Sequence, residues 1–271
     1  MSKVKDIINN EVLKLINSQE SLPWENPNFF ESKMNIDTGS IYSGVNKILL
    51  YGTDKYFISV NSAKKHGIDF AGVKTKMVVY YSKTTIKDKE SQAEKDIFLM
   101  RYYRVLPILA CKNIPNKFLK KISKFEQENK DIKTIEGLET LIGLHNPKII
   151  DIFEGSNFYR PSDDTIGLRK KESFKSTEMY YSTLLHELVH WTGHQNRLNR
   201  LDSGYMDNHN RSIEELIAEI GSSYIKAEYG LELTDNNRAY IKGWFKKDID
   251  ISSVFSKCDK VYNYIKSPLE I

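Results

Sequence analysis

Residues 186–190 read His-Glu-Leu-Val-His, and the spacing of the two histidines constrains the fold more than any other feature of the chain. On an α-helix, side chains four residues apart stand one above the other on the same face. His186 and His190 can then turn a ring nitrogen toward one metal ion, and Glu187 stands beside them within reach of a water on that ion. Zinc favours nitrogen ligands, and its bound water is acidic enough to yield hydroxide near neutral pH. A carboxylate next to that water can take its proton and pass it to a leaving amine. The pattern therefore nominates His186 and His190 as ligands of one zinc per chain, with Glu187 as general base.

The flanking residues favour a helix. Residues 176–191 contain no Gly or Pro, Ser176 is placed to cap the N-terminus, and Glu178 puts negative charge in the first turn. Leu184 and Leu188 share one face and Leu185 and Val189 another, so the helix is expected to be largely buried, with Gly193 ending it. The bland alternative is a core helix with two incidental histidines. The well-formed helix and a candidate third ligand downstream argue against it.

A chain of 271 residues, 40% hydrophobic, can bury one large core or two ordinary ones. It has no run of eighteen apolar residues, so no membrane span is expected, and its charged N-terminus lacks the apolar stretch of a signal peptide. Cys111 and Cys258 are the only cysteines, which excludes a disulfide framework and a cysteine zinc site and fits a cytoplasmic protein. The net charge of +4 is unevenly spread. Residues 1–130 carry 22 Lys/Arg against 14 Asp/Glu, a net of +8, and residues 131–271 carry 18 against 22, a net of −4. A basic first half points toward a polyanion, most often a nucleic acid, although solvated lysines give the same count.

The order of elements suggests an α+β protein with a boundary near residue 130. Residues 3–18 carry a helical apolar stripe, 73–81 and 98–109 read as paired strands, and the charged residues 83–96 between them read as a loop. No acidic residue occurs from Ile97 to Phe125. Arg101 and Tyr103 fall on one face of the second strand and Tyr102 and Arg104 on the other, while Lys74 and Lys76 open the first. With Trp24 in the loop SLPWENPNFF, these residues combine positive charge with aromatic rings, as single-stranded nucleic acid requires. A strand pair with one core face has the same spacing. Beyond residue 130, segments 148–153, 157–159 and 165–168 suggest a small antiparallel sheet ahead of the histidine helix.

A third zinc ligand is needed. Asn196 stands where a metzincin has its third histidine, and His194 falls two residues short. The helix Ser212–Ala227 carries Ile213, Leu216, Ile217, Ile220 and Tyr224 on its core stripe and Glu215 and Glu219 on a neighbouring face. This pair of helices resembles the gluzincins, in which a second helix supplies a Glu to the metal and an acid four residues later orients a ligand histidine. The resemblance assigns Glu215 to the metal and Glu219 to the histidine. Against it, Ser212 and Glu215 also have capping-box spacing, and Asp202, Asp207 and His209 in the linking loop are further candidates.

YYSTLLHELVHWTGHQNRLNR, then EELIAE and AYIKGW, with FYRPSDDTIGLRKKESF upstream, resemble the C-terminal metallopeptidase domain of ArdC-type plasmid antirestriction proteins. PWENP, TGSIYSGVN, KTKMVVYY and LMRYYRVL stand in the order of that family's single-stranded-DNA-binding domain. The resemblance covers nearly the whole chain. It implies a DNA-binding domain over 1–130, a zincin-like metallopeptidase domain over 131–271, protection of incoming single strands, and a peptidase fold that acts on a protein partner. A DNA-tethered protease acting on DNA–protein crosslinks, and a non-catalytic DNA-binding module with a structural zinc, are the alternatives. Glu187 argues against the second, since a structural site needs no base.

Overall fold

The computed structural model describes residues 3–17, 32–52, 54–87, 94–128, 135–201, 208–231 and 249–269. They form two compact units of mixed helix and strand. One holds the described residues to Lys14 and from 32 to 128, and the other holds Leu15–Asn17 and those from 135 onward.

The first unit is a four-stranded sheet of β1 (Met34–Asn35), β2 (Tyr56–Ser59), β3 (Lys76–Lys87) and β4 (Glu94–Pro107), in the order β1-β2-β4-β3. It also contains α1 (Lys3–Asn17) as far as Lys14, α2 (Asn46–Leu49), α3 (Val60–Lys65) and α4 (Asn116–Glu128). Strand alternation divides its core. Phe57, Val78 and Val105 pack with Tyr42 and Leu50 on one face. Tyr56, Ile58 and Leu106 pack with Ile36, Ala63 and Phe118 on the other. With both faces covered, β2 reads as a continuous apolar run rather than an alternating one.

The loop expected at 83–96 is mostly strand. The β3–β4 ladder continues through Thr84↔Ile97 and Thr85↔Asp96 to Lys87↔Glu94. Polarity misleads here because a two-stranded ribbon leaving its sheet has no core face to fill. The β-branched run Thr84-Thr85-Ile86 carries the strand preference instead. Nearer the sheet, Asn46 holds the outer edge of β3. Its Oδ1 accepts from Val79 N–H at 2.8 Å, and its Nδ2 donates to Val79 C=O at 2.9 Å. The side chain thus supplies the pairing a fifth strand would give.

The second unit contains α5 (Ile135–His145), β5 (Lys148–Ile152), β6 (Phe158–Arg160), β7 (Thr165–Arg169), α6 (Thr177–Thr192), α7 (Asn208–Glu228) and α8 (Ile251–Lys266). Its sheet is not the antiparallel one expected from the spacing. The order is β5-β7-β6, with β5 and β7 parallel and only β6 and β7 antiparallel. β6 and β7 form the hairpin, turning through Asp164 at φ 52°, and β7 returns between its two predecessors. Gly167 allows this, because a Cβ there would sit 2.6 Å from the Phe158 ring. No described helix is long and apolar enough to cross a membrane.

Asn46→Ala removes two hydrogen bonds and bares a strand edge, so it is expected to destabilise the first unit by about 1–3 kcal/mol. Urea unfolding measures this, and hydrogen exchange at Val79 should rise with it.

Candidate metal centre and nucleic-acid surface

The histidine helix forms as its caps dictate. The Ser176 side chain accepts from Met179 N–H at 3.2 Å, and Leu184, Leu185, Leu188 and Val189 are buried. Gly193 closes the helix without the left-handed conformation its position suggests, since its φ is −78°. Space explains the glycine instead. An added Cβ would lie 2.8 Å from Leu201 Cγ and 3.1 Å from an Arg200 guanidinium nitrogen. The chain beyond it folds straight back, with Leu198 N–H donating to Thr192 C=O at 3.0 Å and Arg200 N–H to Gly193 C=O at 2.8 Å.

Helix α7 begins at Asn208, four residues ahead of Ser212. Ser212 therefore lies inside the helix, and Glu215 is not committed to a capping box. His186 Nε2 and His190 Nε2 stand 3.2 Å apart, and Glu215 Oε2 lies 3.4 Å from the first and 3.7 Å from the second. Tetrahedral zinc with bonds of about 2.0–2.1 Å holds its donors roughly 3.3–3.4 Å from one another. The three atoms already have that spacing, so the residues fit one divalent metal ion. Three protein donors is also the number used by catalytic zinc sites.

Each histidine turns its other nitrogen to a carboxylate of α7. His186 Nδ1 is 3.6 Å from Glu219 Oε2, and His190 Nδ1 is 3.3 Å from Glu214 Oε1. Glu214 is buried, and Arg200 grips it from the returning loop. Lys226, also buried, faces Glu219 electrostatically. Burial opposes a charge on His190, but Glu214 and Glu215 outweigh it and push its pKa up to about 10. His186 is raised in the same way, against burial, by Glu215 and Glu219. Burial pushes Glu187 up and the Glu215 charge adds to it, while the two histidines and the Tyr159 backbone on β6 pull it down.

Sequence reading did not single out Glu214 or Arg200. Helical period sets Glu214 a full 100° from Glu215, so a face argument selects one of the two and discards the other. Arg200 sits in a loop with no period at all. Asp202 and Asp207 lie outside the described residues. His209 is exposed in the first turn of α7, and His194 accepts from Asn196 N–H; neither belongs to the metal cluster.

In the first unit the nominated residues divide between the two faces of the β3–β4 ribbon. Arg101 pairs with Tyr80 and Lys76 with Val105 on one face; Tyr102 pairs with Val79 and Arg104 with Met77 on the other. Arg101, Arg104 and Lys74 are exposed and Lys76 half-buried. Tyr102 is 49% exposed and its neighbours Tyr80 and Tyr81 43% and 58%, so both faces present aromatic rings to solvent. Tyr103 instead packs against the core of its face and meets Tyr80 edge-on. Trp24 lies outside the described residues.

Two outcomes follow for the metal centre. Glu215→Ala should weaken metal affinity more than Glu219→Ala, read by competition with a chelator; the opposite ranking moves the ligand to Glu219. Protons on the raised histidines compete with the metal, so metal uptake at neutral pH should release protons. Affinity should then climb as pH rises toward about 10, the value for His190. Calorimetry in buffers of different ionisation enthalpy measures the proton count.

A family model for the zincin-like metallopeptidases matches residues 137–253, and one for the N-terminal domain of anti-restriction factor ArdC matches residues 2–106. The chain is 27% identical to the DNA primase TraC of Escherichia coli over 276 residues, covering 94% of this chain and 19% of that protein. It is 34% identical to the protein y4eC of Sinorhizobium fredii over 101 residues, 36% of this chain and 33% of that one. The chain thus spans a third or less of these relatives. Crystal structures of the antirestriction ArdC protein from plasmid R388, metal-free and Mn(II)-bound, superpose with a TM-score of 0.76 at 24% identity, covering 98% of this chain and 97% and 98% of those chains. At that identity the likeness establishes the two-domain fold. The two family models, which fall one on each half of the sequence, establish that the chain belongs to the ArdC type, an ArdC N-terminal domain joined to a zincin-like metallopeptidase domain.

Proposed function

We propose that the chain is an ArdC-like antirestriction protein that binds single-stranded DNA through residues 1–130 and carries a zinc-dependent peptidase in residues 131–271, acting in the cytoplasm. The observation that carries the peptidase half is the near-tetrahedral spacing of His186 Nε2, His190 Nε2 and Glu215 Oε2, with Glu187 on the same helix. A zinc ion bound there supplies Lewis acidity toward a carbonyl and toward water. Glu187 takes the proton of the attacking water and returns it to the leaving amine. Its burial raises its proton affinity, which suits a base that must also act as an acid. β6 is an edge strand of its sheet, and the backbone of its Tyr159 acts on Glu187. An extended protein substrate can add to that edge through main-chain hydrogen bonds.

The DNA half rests on the net charge of +8 over residues 1–130 and on the exposed Tyr80, Tyr81 and Tyr102 among arginines. Stacking on such rings tolerates any base and is worth about 1–3 kcal/mol per base. It suits an unpaired strand and not a duplex, whose base faces are covered.

Titration of the full chain with single-stranded and duplex oligonucleotides over a range of salt tests the DNA half. Single strands should be preferred, with log K falling by about 0.7 per phosphate contacted for each unit of log salt. Arg101→Ala and Arg104→Ala should weaken binding and flatten that slope, whereas Tyr102→Ala should weaken binding and leave the slope unchanged. Binding that is independent of salt, or equal on duplex, refutes the reading. For the peptidase half, Glu187→Gln should retain zinc and abolish cleavage of a protein substrate, while His186→Ala should lose the metal.

A further inference from the structure

Glu214 is 4% exposed, and a carboxylate so placed must find its hydrogen bonds within the protein. Its Oε1 accepts from His190 Nδ1 at 3.3 Å and from Arg200 Nη2 at 2.9 Å, and its Oε2 accepts from Arg200 Nε at 3.1 Å. The Arg200 side chain, 7% exposed, is itself anchored on the last turn of α6. Its Nη1 donates to Thr192 Oγ1 at 3.0 Å and its Nη2 to Val189 C=O at 2.7 Å. One planar fork therefore joins the end of α6 to α7 and holds the carboxylate that faces His190.

We propose that Arg200 is a positioning residue of the metal centre, fixing His190 through Glu214 so that its Nε2 is presented to the metal. The chemistry of the donors dictates the direction. A guanidinium can only donate, so Glu214 beside it acts as acceptor, and the nitrogen of His190 that faces Glu214 is the one that carries hydrogen. Nε2 is left with its lone pair free and aimed where His186 Nε2 and Glu215 Oε2 converge. Gly193 belongs to the same device, because a side chain there would collide with Arg200 and with Leu201. His186 is held less firmly. Its carboxylate, Glu219, stands 3.6 Å away and is backed by Lys226, an ammonium that cannot form a planar fork.

This inference rests on His190 being a metal ligand, and the test separates the two. Zinc affinity is measured on the full chain by competition with a chromophoric chelator, with circular dichroism and melting of the metal-free protein alongside. His190→Ala checks the ligand assignment, and wild-type affinity in that variant would overturn the assignment itself. Arg200→Met should weaken zinc binding roughly 10–100-fold, as loss of a group that orients a ligand does. Arg200→Lys keeps the charge but loses the fork and should fall between Arg200→Met and wild type. Combining Arg200→Met with Glu214→Gln should recover part of the affinity, since Gln still accepts from Nδ1–H and leaves no unpaired buried charge. A merely structural ion pair would lower the melting temperature of these variants and leave the affinity of the folded protein unchanged. That result, with His190→Ala still abolishing zinc binding, would overturn the proposal. Should Arg200→Met not fold, Arg200→Lys and Glu214→Gln decide by the same criterion: both bind zinc more weakly than wild type, or the proposal fails.

Discussion

The contact between α6 and α7 is organised by charge removed from water. Glu214, Glu215 and Glu219 of α7 and Glu187 of α6 meet at two histidines in an interface largely closed to solvent. Desolvating that many carboxylates is unfavourable unless cations or donors meet each one. Arg200 answers Glu214, Lys226 faces Glu219, and the carboxylates raise the proton affinity of both histidines against their burial. A divalent ion held by His186, His190 and Glu215 would supply positive charge at that point in place of protons. Metal affinity and the packing of the two helices are therefore two expressions of one electrostatic balance.

The surrounding fold keeps that balance in place. The return of residues 194–201 onto α6, made possible by the missing Cβ of Gly193, delivers both Arg200 and Arg197. Arg197 bonds Trp191 C=O and lies over the Trp191 ring, and it also pairs with Asp164. Asp164 and Tyr159 are themselves hydrogen-bonded, so the β6–β7 hairpin is tied to the end of the metal-bearing helix. Through that tie the backbone of β6 reaches Glu187. The first unit relies on a different device. Asn46 closes the edge of β3, and the β3–β4 ribbon carries exposed aromatic rings on both of its faces.

Much of this was legible in the residues. Helical period alone put His186 above His190; a cap and apolar spacing located α6, an apolar stripe located α7 with its start set four residues late, and α8 was not read at all. The charge count marked residues 1–130 as basic and the remainder as acidic. Where the reading went astray, a local rule met a nonlocal fact. Residues 83–87 and 94–96 are polar, and polarity signals a loop only where a strand must bury one face. The three strands before α6 follow one another closely, and close spacing suggests a meander until β7 is seen to return between β5 and β6. Gly193 does end the helix, as its position suggests, but the reason is an absence of bulk beside a crossing segment.

By itself the sequence determined many of the elements, the charge of each half and the pair of histidines one turn apart, because these follow from backbone period and composition within a few residues. The partners of those histidines were decided only by the tertiary structure. Glu215 comes within 3.4 Å of His186 across 29 positions of sequence, and Arg200 reaches Glu214 by folding back over Gly193. Neither approach has a periodic signature, since distance between helices is set by packing and loop geometry and not by spacing along the chain. Likewise strand alternation already set Arg101 on the face opposite Tyr102 and Arg104, and only the sheet decided which rings stay open, with Tyr102 exposed and Tyr103 packed against the core.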